Sequence, residues 1–143
     1  MSEKARPVVL VVDDSTDMLA LMEKALSADY EVVTASDPGS AIEKAFGEPR
    51  PDLILLDVEM PEISGFEVCR ALKDEPTTAS IPIIFLTGKT EAQAQVEGLE
   101  LGAADYITKS GSNAGILKAR VRMHLALVNR RAELERLVQE RTE

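Results

Sequence analysis

Five short apolar runs, each parted from the next by a longer segment of helical spacing, constrain this chain more than any other feature. The runs are Val8–Val12, Glu31–Ala35, Leu53–Leu56, Ile83–Leu86 and Ala104–Ile107. Runs of this length read as strands, and their alternation with helical segments is the pattern of consecutive βαβ units. The first, third and fourth are apolar at every position, so both of their faces are expected to be buried, as in the interior of a parallel sheet. The fold class is therefore α/β, a doubly wound five-stranded parallel sheet. Order 2-1-3-4-5 puts those three strands inside.

The intervening segments carry helix signals. Asp37 before Pro38 reads as an N-cap with proline in the first turn, and Ser64 with Glu67 and Thr90 with Gln93 have capping-box spacing. Gly102 follows Leu99 and Leu101 and suits a left-handed cap that returns the chain to the last strand. The core must be aliphatic, because apolar residues make up 45% of the 143 residues and aromatics only 3%.

In an open α/β sheet, ligands bind beyond the carboxyl ends of the strands. Asp13 and Asp14 follow the first run, Asp57 the third, Thr87 the fourth and Lys109 the last. Taken alone, Asp13 and Asp14 read equally well as helix caps or metal ligands. Asp57 favours the second reading: a third carboxylate in one crevice adds only repulsion unless a cation offsets it. Magnesium takes oxygen ligands and retains several waters, so a few carboxylates suffice and phosphoryl oxygens can fill other sites. Asp57 can then attack phosphorus as a nucleophile, with Lys109 neutralising the phosphoryl oxygens.

The run Val-Val-Asp13-Asp14-Ser15, then Leu-Leu-Asp57-Val-Glu-Met60-Pro61 with Gly65, Phe-Leu-Thr87-Gly88, and Gly102-Ala-Ala-Asp105-Tyr106-Ile-Thr-Lys109 resembles the receiver domain of two-component response regulators across about residues 7–127. The resemblance implies a flavodoxin-like fold and magnesium-dependent phosphorylation of Asp57 by a sensor histidine kinase. It further implies Asp14 as a direct metal ligand, Asp13 nearby through water, Asp57 and the Glu59 backbone carbonyl in the metal shell, and Lys109 paired to the phosphoryl group. Thr87 and Tyr106 match the family's switch pair. Without the other motifs, they would read as a helix cap and a half-buried packing residue. Glu59 and Lys89 flank the site where the family varies to tune dephosphorylation. The family usually has Pro after the lysine, whereas Ser110 and Gly111 follow Lys109, so that turn is expected to differ.

The resemblance describes a switch module, not a turnover enzyme. The alternative is a phosphorylation-independent adaptor of the same fold that acts by dimerisation. Gly88-Lys89-Thr90 imitates the end of a P-loop, but that pattern needs Gly at position 83, which is Ile. His124 has no neighbouring Cys or second His and is expected on a helix surface. Cys69, the single cysteine, is expected to serve packing.

The formal net charge of -9 disfavours nucleic acid and anionic membranes as partners. No run is long enough for a membrane span, and the expected location is the cytoplasm. From Ala114 to the end, seven Lys and Arg face four Glu, a net of +3 that leaves -12 for the rest. This segment lacks Pro and predicts an extended C-terminal helix of about 43 Å, too long to stay on a small body. Leu117, Val121 and Leu125 suit packing on the sheet. Leu127, Leu134, Leu137 and Val138 form a further stripe, with Arg131–Glu135 and Arg136–Glu140 spaced for ion pairs. The expected organisation is a receiver body over 1–127 and a protruding helix over 128–143. That helix is expected to pair with a second subunit or to lead into an output domain absent from this chain.

Overall fold

The computed structural model describes residues 6–60, 63–88, 100–108 and 114–141. Five strands, β1 (Val8–Val12), β2 (Glu31–Ala35), β3 (Leu53–Asp57), β4 (Ile83–Thr87) and β5 (Asp105–Thr108), form one parallel sheet in the order β2-β1-β3-β4-β5. The described helices are α1 (Thr16–Leu26), α2 (Pro38–Ala45), α3 (Gly65–Lys73) and α4 (Ala114–Arg141). This is the doubly wound order expected from the interior strands. Every residue of β1, β3 and β4 is buried, whereas β2 and β5 are partly exposed at the edges.

Strand side chains alternate between the two faces, so each central strand feeds two cores. On one face Leu10, Val12, Ile54, Leu56, Ile83 and Phe85 meet Ala41 and Ala45 of α2 and Val68, Cys69 and Leu72 of α3. Phe66 meets the ring of Phe85 edge-on, with centroids 5.0 Å apart. On the other face Val9, Val11, Leu53, Leu55, Ile84, Leu86 and Ile107 meet α1 and the Leu117, Val121 and Leu125 stripe of α4. Each fully buried aliphatic side chain contributes about 1.5–3 kcal/mol, which lets a core poor in aromatics hold the sheet. Burial also pushes the Cys69 thiol up from its ordinary pKa, in keeping with a packing role.

Local chemistry sets the helix starts. Asp37 caps α2 by accepting from Ser40 N–H at 2.7 Å, ahead of Pro38 in the first turn. Ser64 precedes α3, but its side chain makes no capping bond; Glu67 N–H donates to the Ser64 backbone carbonyl instead. The capping box expected from Ser64 and Glu67 is thus not formed. Gly102 has φ +99°, the left-handed conformation expected of it. Thr90, Gln93 and Leu99 lie outside the described residues, as do the P-loop-like Lys89 and the Ser110–Gly111 turn.

α4 is one continuous helix of 28 residues, about 42 Å long. Its first half packs by Leu117, Val121 and Leu125, and residues 130–139 are exposed all round. The outward stripe starts earlier than the sequence suggested. Ile116 and Met123 are exposed on the body, followed by Leu127, Leu134, Leu137 and Val138. Arg136 pairs with Glu133, one turn back. His124, expected on the helix surface, is only 8% exposed and faces the sheet. It lies on the inner side of the helix, between Val121 and Leu125.

Candidate functional site

The parallel register gathers the polar residues that follow the strands. Val12 of β1 is paired with Leu56 of β3, so Asp13 and Asp57 leave the sheet side by side on adjoining interior strands. Asp57 is paired with Leu86, and Thr87 follows by one residue on β4. Adjacent strands lie about 4.8 Å apart, which brings these side chains within reach of one another. Asp13, Asp14 and Asp57 each offer a carboxylate oxygen to a cluster whose oxygens all lie within 4.8 Å. Asp13 and Asp57 are fully buried, Asp14 is exposed, and Thr87 is buried.

Helix capping does not explain this cluster. Ser15 is the residue that caps α1, accepting from Met18 N–H at 3.2 Å. Asp13 Oδ1 accepts from Ser15 N–H at 2.9 Å, which orients the Asp13 carboxylate at the start of the helix. Asp57 is oriented in the same manner, its Oδ1 accepting from Glu59 N–H at 3.1 Å. Two buried carboxylates beside a third destabilise each other through like-charge repulsion and desolvation, a cost that a cation held among them removes.

Two glycines shape the rim. A Cβ at Gly65 would lie 2.2 Å from the Asp57 carbonyl oxygen and 2.9 Å from Val58 Cα, both backbone atoms. Gly65 N–H donates to the Val58 carbonyl at 2.9 Å, so the start of α3 is seated directly on the backbone that carries Asp57. At Gly88 an added Cβ would lie 3.5 Å from Glu59 Oε1, showing that the exposed Glu59 side chain reaches across the mouth toward the end of β4.

Thr87 is paired with Thr108 at the ends of β4 and β5. Lys109 comes next in the chain and lies outside the described residues, as does Pro61. Tyr106 of β5 is partly buried and packs against the cluster that contains Phe85.

One constellation went unread in the sequence. Asp105, the first residue of β5, accepts from Tyr106 N–H at 2.8 Å, from Arg120 Nη1 at 2.9 and 2.8 Å, and from His124 at 2.9 Å. A carboxylate only accepts, so His124 Nε2 carries the proton. Burial alone would raise the Asp105 pKa, but the His124, Tyr106 and Arg120 hydrogen bonds together hold it below the usual carboxylate value. The available signal was the spacing of Arg120 and His124, four residues apart on the helix face that follows Leu117 and Val121.

No described helix is long and apolar enough to cross a membrane. The family model for the response regulator receiver domain matches residues 9–121. A probable cyclic di-GMP phosphodiesterase of Vibrio cholerae is 42% identical over 125 residues, covering 87% of this chain and 28% of that protein. Response regulator PleD of Caulobacter vibrioides is 46% identical over 115 residues, covering 80% of this chain and 25% of that protein. The chain thus spans about a quarter of the length of these curated relatives. The solved structure of the chemotaxis protein CheY4 of Vibrio cholerae superposes with a TM-score of 0.77 at 34% identity, covering 83% of this chain and 98% of that one.

Proposed function

The chain belongs to the family of response regulator receiver domains, and from that premise we propose that Asp57 accepts a phosphoryl group from the phosphohistidine of a sensor kinase. The observation that carries this reading is the cluster of Asp13, Asp14 and Asp57 at the carboxyl edge of the sheet, with oxygens within 4.8 Å of one another and two of the three carboxylates fully buried.

In the transfer, an Asp57 carboxylate oxygen attacks phosphorus in line as the phosphorus–nitrogen bond breaks. The electron pair leaves on the donor imidazole, and an acyl phosphate remains on Asp57. The Glu59 N–H steadies Oδ1 for the attack. The Thr87 hydroxyl, at the end of the neighbouring strand, is the group that turns to the new phosphoryl oxygens. Lys109, next along the chain from Thr108, supplies a positive charge to the same oxygens.

The donor set suits magnesium, a hard cation that prefers oxygen ligands. Asp13, Asp14, Asp57 and the Glu59 backbone carbonyl would hold it, and when bound it supplies positive charge to the phosphoryl group. Asp13 and Asp14 orient that site, and their repulsion with Asp57 makes the empty cluster less stable than the loaded one.

Movement of Thr87 toward the phosphoryl group opens space for the Tyr106 ring, so the two residues form the switch. The module changes state in the cytoplasm and does not turn over a substrate of its own. The body, 1–127, passes that state to the helix over 128–143. The exposed stripe from Ile116 through Leu127 to Leu137 supports pairing of α4 with α4 of a second copy, or docking on an output domain.

The test is to incubate the protein with magnesium and acetyl phosphate and to weigh it intact. A gain of one phosphoryl mass that disappears in Asp57→Asn is expected. No gain at any magnesium concentration overturns the proposal and leaves the phosphorylation-independent adaptor.

A further inference from the structure

Strand alternation places Asp105 and Tyr106 on opposite faces of β5, the edge strand. The Tyr106 side chain packs on the face of Phe85 and Val68. The Asp105 carboxylate is on the other face, where α4 packs, and receives Arg120 and His124 from that helix. The same carboxylate accepts the backbone N–H of Tyr106. One side chain therefore holds the backbone of the switch residue on one side and two positions of the C-terminal helix on the other.

We infer that Asp105 is a positioning residue that couples Tyr106 to α4: a change in the Tyr106 ring displaces its backbone N–H, shifts the Asp105 carboxylate, and so moves Arg120 and His124 on the helix. This rests on the reading of Thr87 and Tyr106 as a switch, and extends it by naming how the switch reaches the helix. The geometry favours a stiff link. Asp105 Oδ1 is shared by Tyr106 N–H and Arg120, and Oδ2 by Arg120 and His124, so neither oxygen can follow one partner without straining another. Charge-assisted hydrogen bonds to a largely buried carboxylate are stronger than neutral ones and fix orientation more firmly. His124 is itself buried between Val121 and Leu125, so a shift there is a shift of the packed face of α4. The exposed stripe continues past His124 through Leu127, Leu134 and Leu137, so a small rotation near His124 carries into the segment proposed to pair.

His124 is the single histidine of the chain, which makes its imidazole a one-residue reporter in nuclear magnetic resonance. The test is a mutant cycle read on the imidazole nitrogen and carbon-bound proton resonances. Tyr106→Ala is expected to shift them in the otherwise unchanged protein, although Tyr106 and His124 lie on opposite faces. The same substitution in an Asp105→Asn background is expected to shift them by less than a third as much, because the charged link is gone. Should the Asn variant not fold, Asp105→Ser, too short to reach α4, gives the same comparison. An imidazole unmoved by Tyr106→Ala, or moved equally with and without Asp105, overturns the inference. A parallel arm adds acetyl phosphate and magnesium while intact mass is followed. Phosphoryl mass without an imidazole shift overturns the coupling alone, whereas no phosphoryl mass overturns the proposed function and leaves the mutant cycle to decide the coupling.

Discussion

Gly65 sits against the backbone of Asp57 so closely that a Cβ at position 65 would lie 2.2 Å from the Asp57 carbonyl oxygen. The obstacle is main chain on both sides, so relief requires α3 to move off β3 or the Asp57 backbone to shift. Overpacking of this kind costs about 1–3 kcal/mol. Gly65→Ala is expected to lose stability in that range and to slow phosphorylation from acetyl phosphate several-fold, measured by urea unfolding and by the time course of intact mass. Unchanged stability with an unchanged rate would show that the seat of α3 does not govern the site.

The Asp105 clamp carries a pH signature. Its carboxyl is held below the ordinary carboxylate range in the folded protein, so the folded state binds fewer protons there than the unfolded state. That contribution is complete above the unfolded carboxylate pKa and is lost as the pH falls through the folded value. Asp105→Asn is expected to cost about 1–3 kcal/mol near neutral pH, mostly through His124 and the Tyr106 N–H. Arg120, with a side chain 42% exposed, contributes less. Urea unfolding across pH should show the gap between the two proteins closing toward acid; a gap that stays constant contradicts the ionic role.

Asp13→Asn keeps an oxygen to accept the Ser15 N–H but removes one buried negative charge beside Asp57. Two like charges at this spacing, with oxygens within 4.8 Å, repel by about 3–4 kcal/mol at an effective dielectric near 20. In a chelator the variant is expected to melt higher than the parent, and magnesium is expected to raise its melting temperature less. A variant that melts lower in chelator and responds normally to magnesium rules out the crowded-carboxylate account.

The outer stripe of α4 predicts self-association that depends on the residues past the body. Light scattering should give a larger mass for the full chain than for one ending at Leu127. Equal monomer masses remove the helix from the proposed interface.

The fold was legible because the central strands are apolar on successive residues, and only burial on both faces tolerates that. Asp37 and Pro38 were legible as a cap because the bond they make is local. Ser64 and Glu67 had the right spacing, yet spacing does not fix a rotamer, and the Ser64 side chain does not make the capping bond. His124 was misjudged because helix periodicity shows which face is inward and not what another element presents to it. Its partner, Asp105, is 19 residues away on a different element. Gly65 belonged to the recognised motif, but its reason for being glycine is a distance to the Asp57 carbonyl, a quantity carried by packing alone. Lys109 rests on its motif and its place after Thr108.

The central claim is that Asp57, and not its neighbours Asp13 or Asp14, takes the phosphoryl group. Treating the protein with acetyl phosphate and magnesium and then reducing it with borohydride converts an acyl phosphate to the alcohol, leaving homoserine where the phosphorylated aspartate stood. Peptide mass mapping should find homoserine at position 57 alone. Homoserine at 13 or 14, or at none of the three, contradicts the account.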